Sequence, residues 1–229
     1  MKLLAIETST EACSVAVYAD GAVFARHELA PRRHTQLVLP WADELLAEAG
    51  LRKSQLDAIA VGRGPGAFTG VRLAIALVQG LALALDRPVL PISTLAVLAM
   101  QGKGERILAA IDARMGEVYL GEFMRDADGL VTAAGEENIC PPALAPVPAN
   151  AVSGVGTGFG AEQGALVARL GSTLASFDAS ALPHAADLAK LAARAFARGE
   201  AVDAARIEPA YLRDKVALTL AEQGKPTPR

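Results

Sequence analysis

The 229-residue sequence predicts an α/β protein of two lobes, the second smaller than the first. Short apolar or alternating segments, typical of strands, are interspersed with segments of helical periodicity. A series of three strands, a helix, a strand and a helix occurs once in full, and again in shortened form after a Gly-Lys-Gly segment at 102–104. We therefore expect an N-terminal lobe over 1–102, a smaller C-terminal α/β lobe over 103–218 and a flexible tail over 219–229.

The first lobe opens with three strands that return on one another. The second strand alternates between apolar and polar side chains, and Asp20-Gly21 is a hairpin signal before the third strand. A helix then ends at Gly50, with Pro40 either in its first turn or in a kinked earlier turn. Ser93 is a candidate N-cap for a further helix to 101. The predicted strands of this lobe are residues 3–7, 13–18, 22–29, 57–61 and 89–92.

A glycine-rich loop at 62–70 joins the fourth strand to a long helix at 69–85. It is not a Walker loop, because no Lys-Ser/Thr pair ends it and Pro65 lacks an N–H. Its spacing also departs from the dinucleotide-binding fingerprint. We expect a strand-to-helix turn whose glycines allow close approach, with Thr69 capping the helix; direct ligand contact is the alternative.

The long helix carries two apolar stripes, one at positions 71, 75, 78 and 82 and one at 73, 77, 81 and 84. A helix on the outside of a lobe needs only one such stripe, so the other needs a cover. We expect that cover to be a protein partner, with a second layer of the same chain as the alternative, and the sequence does not decide which stripe faces the partner. The candidate interface residues are Trp41, Leu45, Val71, Arg72, Ile75, Val78 and Ala82.

The second lobe repeats the pattern less regularly. Alanine, proline, glycine and aspartate dominate residues 126–150, which predicts an irregular connection there. Its predicted strands are residues 106–112, 117–123 and 151–155, and its predicted helices are 161–170 and 185–198.

Composition excludes several classes of protein. Hydrophobic residues make up 52% of the chain, which excludes a disordered protein, and aromatic residues make up only 4%. The net charge is -3 and neither half is basic, so tight unaided binding to nucleic acid is disfavoured. Two cysteines suit a reducing compartment, and the longest apolar stretch, 71–85, is shorter than a membrane span. We expect a cytoplasmic protein without a membrane segment.

Three segments in sequence order carry a family resemblance: residues 6–9 (IETS), 64–70 (GPGAFTG) and 111–119 (IDARMGEVY), with a weaker echo at 208–213 (EPAYLR). Together they resemble the TsaB family of bacterial tRNA threonylcarbamoyladenosine biosynthesis proteins, which are paralogues of the catalytic TsaD proteins. The resemblance implies an actin-like, Hsp70-type ATPase superfamily fold with two ribonuclease H-like lobes.

The resemblance also implies a function. The chain would be a required, non-catalytic partner of TsaD, with the ATPase TsaE, in forming N6-threonylcarbamoyladenosine (t6A) beside the anticodon of tRNAs reading codons that begin with A. ATP and threonylcarbamoyl-AMP would be used by the complex, with no cofactor held by this chain. Isolated protein would form homodimers that TsaD displaces, and tRNA would be met only through the complex. The alternative is a stand-alone ATP-dependent phosphotransferase or metalloprotease.

Comparison with the TsaD pattern argues against a metal site and a phosphate loop. Thr94 and Leu98 stand where TsaD-type proteins have two histidines, and leucine cannot ligate a metal. Residues 112–116 replace a glycine-rich loop and include Arg114, which could meet a phosphate, a partner's carboxylate or the neighbouring Asp112. The three histidines, expected at the surface or in caps, are His27, His34 and His184.

The remaining candidates for a ligand are two turns, and no residue is assigned a catalytic role. Thr8 and Ser9 follow the first strand, where hydroxyl and backbone N–H groups can bind an anion; a polar turn is the alternative. Gly154 and Gly156 belong to a glycine run that could receive an adenine or phosphate, or could form an irregular turn. No Ser-His-Asp or Cys-His arrangement has sequence support, so no peptidase nucleophile is expected.

Overall fold

A computed structural model describes residues 1–213, and the predicted tail at 219–229 lies outside the described residues. The first lobe is built on a five-stranded sheet in the order β3-β2-β1-β4-β5, antiparallel through β3, β2 and β1 and parallel from β1 onward. Its strands are β1 (Lys2–Glu7), β2 (Ala12–Ala19), β3 (Ala22–Leu29), β4 (Ala58–Gly62) and β5 (Val89–Ile92).

Two long helices cover one face of this sheet, α1 (His34–Glu48) and α2 (Phe68–Leu85). Pro40 lies inside α1, so the helix extends further towards its N-terminus than the apolar spacing indicates. The predicted Thr69 cap of α2 is wrong: the N-cap residue is Ala67. The Ala67 N–H donates to the Ser9 carbonyl at 2.7 Å, which fixes where the chain turns into the helix.

One stripe of α2 packs on the sheet. Val71, Ile75, Val78 and Ala82 are buried with β1 and β4 side chains such as Ile6. By length and composition α2 could also cross a membrane. A helix that packs one stripe on the core of a lobe can have the same length and composition. One stripe of α2 is buried in the core of the first lobe in this way.

The second sheet has six strands, ordered β11-β10-β6-β7-β8 with β9 also pairing with β7. A short helix, α4 (Ala165–Leu170), covers its outer face. Its strands are β6 (Arg106–Arg114), β7 (Glu117–Arg125), β8 (Val131–Ala133), β9 (Asn138–Cys140), β10 (Val152–Val155) and β11 (Leu174–Asp178). The expectation of a wholly irregular 126–150 is wrong, because β8 and β9 are three-residue strands too short to show an alternating pattern.

Two helices lie between the sheets, α3 (Thr94–Ala99) and α5 (Ala185–Ala197), and form one continuous core with both. The Ser93 side chain accepts the Ala96 N–H, which confirms the predicted cap of α3. The predicted division places α5 in the second lobe, but α5 packs mainly on β1 and β2 of the first sheet. The backbone therefore returns to the first lobe after completing the second.

The start of α5 is fixed by a stacked pair of histidines. The rings of His27 on β3 and His184 lie 3.5 Å apart at 11°, and the Ala185 N–H donates to the Ser14 hydroxyl at 2.9 Å. Both imidazoles are half-buried, and burial lowers the pKa of His27 to about 4 and lowers that of His184. His184 is the N-cap residue of α5, although its side chain makes no capping hydrogen bond, whereas His27 lies within β3 and neither caps a helix nor is fully exposed. His34 contacts the Thr10 and Ala12 carbonyls.

The stacked pair predicts acid sensitivity. Because the pKa of His27 is lowered in the folded state, its contribution to stability is present above about pH 6.5 and is lost as pH falls towards about 4. We expect His27→Phe, which keeps a stacked ring, to reduce the loss of unfolding free energy between pH 7 and pH 4.5 by on the order of 1 kcal/mol. Urea unfolding at both pH values measures this, and equal losses in wild type and variant would contradict it.

Candidate functional site: the cleft between the lobes

A cleft of about 720 Å³ lies between the two lobes. The β1–β2 turn, the glycine-rich loop and the start of α2 form one wall, and the β6–β7 turn forms the other. Residues 209–213 run along its mouth. A volume of this size falls in the range of small-molecule sites, so the contacts of its polar groups decide whether they are available to a ligand.

Close packing of the glycine-rich loop on the β1–β2 turn forms the floor of the cleft. A Cβ at Gly66 would overlap the Ser9 carbonyl, and one at Gly70 would overlap the Thr8 carbonyl. The Thr8 hydroxyl donates to the Gly70 carbonyl at 2.8 Å. The glycines therefore allow a backbone-to-backbone contact within the chain, which supports the expected structural turn.

A buried carboxylate lies behind this floor. Glu7, at the end of β1, is 1% exposed, and a Cβ on Gly62 would collide with its carboxylate. The Ser9 N–H donates to Glu7 Oε1 at 2.7 Å, and the Thr94 hydroxyl lies 3.2 Å from Oε2. Burial raises the pKa of Glu7, although the hydrogen bonds from Ser9 and Thr94 oppose that shift.

The candidate anion-binding turn is thus occupied by the chain's own groups. Thr8 is buried and bonds to Gly70, and the Ser9 N–H is directed at Glu7 rather than at the cleft. Of the two candidates only Ser9 lines the cleft. These contacts favour the alternative of a polar turn.

The glycine run at the end of β10 is also explained by packing. A Cβ at Gly154 would overlap the ring of Phe159, and one at Gly156 would overlap the Ala110 carbonyl and the Leu98 side chain. Neither candidate glycine lines the cleft, although Thr157 does, and its hydroxyl accepts the Asp112 N–H at 3.1 Å. The run therefore supports an irregular turn packed on the second sheet.

The two positions that replace the histidines have other roles. The Thr94 hydroxyl lies 3.0 Å from the Ser9 hydroxyl and accepts the Gly64 N–H at 3.1 Å. Leu98 is fully buried in the core between the sheets. Among residues 1–213, no group of three or more His, Cys, Asp or Glu side chains is placed to hold a metal ion.

The β6–β7 turn supplies the opposite wall. Arg114 and Met115 both have left-handed φ, at 61° and 58°, and Met115 is 74% exposed. The Arg114 guanidinium pairs with Asp112 at 2.8 Å, one of the partners expected from the sequence, and also with Glu11 of the first lobe at 3.0 Å. The Glu11 contact, which local sequence could not indicate, joins the lobes across the cleft.

A second link between the lobes is the segment at the mouth. The Ala210 N–H donates to the Arg63 carbonyl at 2.8 Å, on the first lobe. Arg213 pairs with Glu117 on the second lobe and also donates to the Ala113 carbonyl at 3.2 Å. Residues 209–213, which belong to the weaker C-terminal part of the family resemblance, therefore lie along the mouth of the cleft and contact both lobes.

The structure corrects the candidate interface. Leu45, Val71, Ile75, Val78 and Ala82 are buried in the first lobe's own core, so they do not offer a surface to a partner. Trp41 and Arg72 are only half-buried. Periodicity identifies an apolar stripe but does not show what the stripe faces. The sequence therefore could not show which of the two stripes of α2 packs on the sheet and which stays accessible.

The opposite face of α2 is the accessible one. Leu83 is 83% exposed and Phe68 61% exposed, and Ala76 and Gly80 lie between them, also exposed. Leu73, on the second predicted stripe, is half-buried. We call the set Arg72, Leu73, Ala76, Gly80 and Leu83 the outer face of α2.

Comparison with known proteins identifies the family. The domain family described as TsaD, tRNA N6-adenosine threonylcarbamoyltransferase, matches residues 25–220. With the two-lobed α/β fold, this match defines the class as actin-like proteins with a TsaD-type domain, and it confirms the predicted fold class.

Full-length relatives narrow the class. The Escherichia coli (strain K12) protein named tRNA threonylcarbamoyladenosine biosynthesis protein TsaB is 42% identical over 230 residues, spanning 95% of this chain and 96% of its own. Its Haemophilus influenzae counterpart of the same name is 40% identical over 232 residues, with 94% and 95% covered. The chain belongs to the TsaB family, as the sequence motifs predict.

A solved structure agrees with this assignment. A crystal structure from Pseudomonas aeruginosa, described as an uncharacterized protein with similarity to peptidase YeaZ, has a TM-score of 0.86 and 50% sequence identity with this chain. The match covers 93% of this chain and 99% of that chain.

The buried Glu7 gives a prediction for stability. Because its pKa is raised on folding, the folded state binds this proton more tightly, and the free energy of unfolding falls as pH rises above about 4.5. We expect Glu7→Gln to be more stable than wild type at pH 8, by on the order of 1 kcal/mol, with the difference vanishing below about pH 4. Thermal unfolding across this range measures it. The exposed Glu136→Gln is the control, and a Glu7→Gln variant that is less stable at pH 8 would refute the argument.

Proposed function

We propose that this protein acts in t6A biosynthesis as a non-catalytic partner of TsaD, together with the ATPase TsaE. Relatives that match nearly the whole chain carry the name tRNA threonylcarbamoyladenosine biosynthesis protein, which supports the pathway. The observation that carries the partner role is the outer face of α2, an accessible and largely apolar helix face on a chain in which Ser9, Asp112 and Arg114 of the cleft are bonded within the chain. In this proposal ATP and threonylcarbamoyl-AMP belong to the complex, and the chain is cytoplasmic.

Several polar groups of the cleft are bonded to other groups of the chain, which supports the non-catalytic part of the proposal. Ser9 and Thr94 serve Glu7, and Arg114 serves Asp112 and Glu11. These hydrogen bonds and ion pairs give the side chains a structural role within the chain, which supports the proposal. The cleft therefore suits a link between lobes better than a reaction site.

The two thiols do not suit peptidase chemistry. Burial raises the pKa of Cys13 to about 12 and also raises that of Cys140. A thiol with a raised pKa is protonated at neutral pH and is a poor nucleophile, because the thiolate is the reactive form. Neither cysteine lines the cleft. This disfavours a cysteine peptidase, although the structure from P. aeruginosa is described as similar to a peptidase.

The outer face of α2 suits helix-on-helix docking. Ala76 and Gly80 lie within two turns of Leu73 and Leu83, so another backbone can approach closely between two leucine side chains. Large exposed apolar side chains on a soluble surface indicate an interaction site. A partner helix is therefore the natural cover for this face, supplied by TsaD in the complex and by a second copy in isolated protein.

Charge reversal on the outer face tests the docking. We expect Ala76→Glu with Leu83→Glu to leave a folded monomer that no longer captures TsaD, with an affinity loss of at least about 100-fold, because Leu83→Glu would bury a carboxylate without a partner and Ala76→Glu would place a bulky charged side chain where the partner helix approaches. Light scattering and calorimetric titration with purified TsaD measure self-association and capture.

Two variants serve as controls for that test. Ile75→Glu with Val78→Glu, on the buried stripe, should unfold the protein. Leu144→Glu with Val147→Glu adds the same charge to exposed apolar residues of the second lobe and should capture TsaD normally. Normal capture by the Ala76 and Leu83 variant would place the interface elsewhere.

Activity of the isolated chain distinguishes the alternatives. We expect purified protein to form no t6A, to shift no tRNA at submicromolar concentration in physiological salt, and to carry no stoichiometric transition metal, whereas addition of TsaD and TsaE allows t6A formation. Mass spectrometry of tRNA nucleosides, gel shift and elemental analysis measure these. Nucleotide turnover by the chain alone would favour the phosphotransferase, and about one zinc or iron per chain the metalloprotease.

A further inference from the structure

Arg72 is held in a fixed position at the start of the outer face of α2. Its guanidinium carbon lies 3.2 Å from the centre of the Phe68 ring and 5.0 Å from that of Tyr211. Its Nη1 donates to the Phe68 carbonyl at 3.2 Å, and its Nη2 donates to the Tyr211 hydroxyl. Two rings and two acceptors therefore fix the guanidinium before any partner arrives.

This arginine is also the only charged residue in α2. Within residues 1–213, no carboxylate lies within ion-pair distance of it, in contrast to Arg114 and Arg213 on the other side of the cleft. Its contacts to Phe68 and Tyr211 use two of the five N–H donors of a guanidinium. No group within residues 1–213 accepts a hydrogen bond from the remaining donors.

A partner that covers the outer face of α2 must compensate the positive charge of Arg72. Phe68 and Ala76 lie one helical turn on either side of Arg72, and the guanidinium lies over Phe68, so a helix that packs along Phe68, Ala76 and Gly80 removes water from the guanidinium as well. Burying an unpaired cation is costly, whereas an arginine that meets a carboxylate gains two parallel hydrogen bonds. The face therefore favours a partner with one anion opposite Arg72.

We propose that Arg72 receives an aspartate or glutamate carboxylate of TsaD, and that this ion pair fixes the register in which the partner helix lies on the outer face of α2. The inference rests on the proposed function, because it names the chemistry of the partner at the same surface. The side chains in contact with Arg72, Phe68 and Tyr211, are aromatic, and α2 carries no other charged residue, which suits one carboxylate within a helix-helix contact rather than a run of RNA phosphates.

The preset position of Arg72 strengthens such a pair. An arginine normally loses side-chain freedom on binding, and here the rings of Phe68 and Tyr211 have already removed it. Lysine would keep the charge but lose both the stacking and the paired N–H donors. Arg72→Lys is therefore the variant that separates a bidentate contact from general electrostatic attraction.

Titration of TsaD with Arg72 variants tests the pair. We expect Arg72→Gln to weaken capture at least about tenfold and Arg72→Lys to weaken it less, with both variants folded as judged by circular dichroism. Arg198→Gln, an exposed arginine at the end of α5, removes the same charge and should leave capture unchanged. Tyr211→Phe keeps the ring and should cost less than Arg72→Gln.

Charge exchange identifies the partner residue. Arg72→Glu should abolish capture, and one TsaD variant with an aspartate or glutamate changed to arginine should restore it. Unchanged capture by Arg72→Gln, while Ala76→Glu with Leu83→Glu still abolishes it, would overturn the ion pair and leave the proposed function standing. Loss of tRNA binding by the assembled complex, with TsaD affinity unchanged, would also overturn the pair and assign Arg72 to phosphate instead.

Discussion

The packing around the buried Glu7 carboxyl group at the end of β1 is the constraint on which the first lobe's wall of the cleft depends. An ionised carboxylate can only accept hydrogen bonds, so every polar group directed at it must donate. The Ser9 N–H and the Thr94 hydroxyl meet that requirement, and the missing side chain of Gly62 leaves the space. Thr94 also accepts from Gly64. The hydrogen bonds to the Glu7 carboxyl group thus link β1, the glycine-rich loop and the start of α3.

The position of α2 follows from the same contacts. Once the loop is pressed onto the β1–β2 turn, the bond from the Ala67 N–H to the Ser9 carbonyl fixes the first residue of α2. The helix then lies with one stripe on the sheet, and its rotation about its own axis is set by that burial. Arg72, Ala76 and Leu83 consequently face outward together. The accessible face is therefore a consequence of the packing around Glu7 rather than a separate feature.

Local sequence signals predicted what depends on local chemistry. The third strand at 22–29 and the fifth at 89–92 match the structure to the residue, and the Ser93 cap is present, because alternation, hairpin turns and capping act over a few residues. The pair of Arg114 with Asp112 belongs to the same category. The repeated pattern of strands and helices predicted two α/β lobes, and the family motifs supplied the actin-like fold, which spacing alone could not have named.

Contacts between distant segments were beyond those signals. The return of α5 to the first sheet, the stacking of His27 on His184 and the pair of Arg114 with Glu11 each join residues far apart in the chain. The Thr69 cap was predicted from residue type, but a backbone bond from Ala67 to Ser9 determined the start of α2 instead. An apolar stripe likewise reveals that it needs a cover without revealing which cover, and only packing shows that Ile75 faces inward.

The links across the cleft connect the outer face of α2 to the second lobe. Arg114 reaches Glu11 on one side, and on the other the segment containing Tyr211 and Arg213 joins Arg72 to Glu117. A partner seated on α2 therefore contacts a helix whose first turn is coupled to both lobes. Polar groups that could have served a substrate instead hold the lobes together, so the capacity for interaction lies on the outer face of the helix. In the proposed role, the chain acts through the accessible outer face of α2, which lies beside a cleft whose Ser9 and Arg114 groups are bonded within the chain.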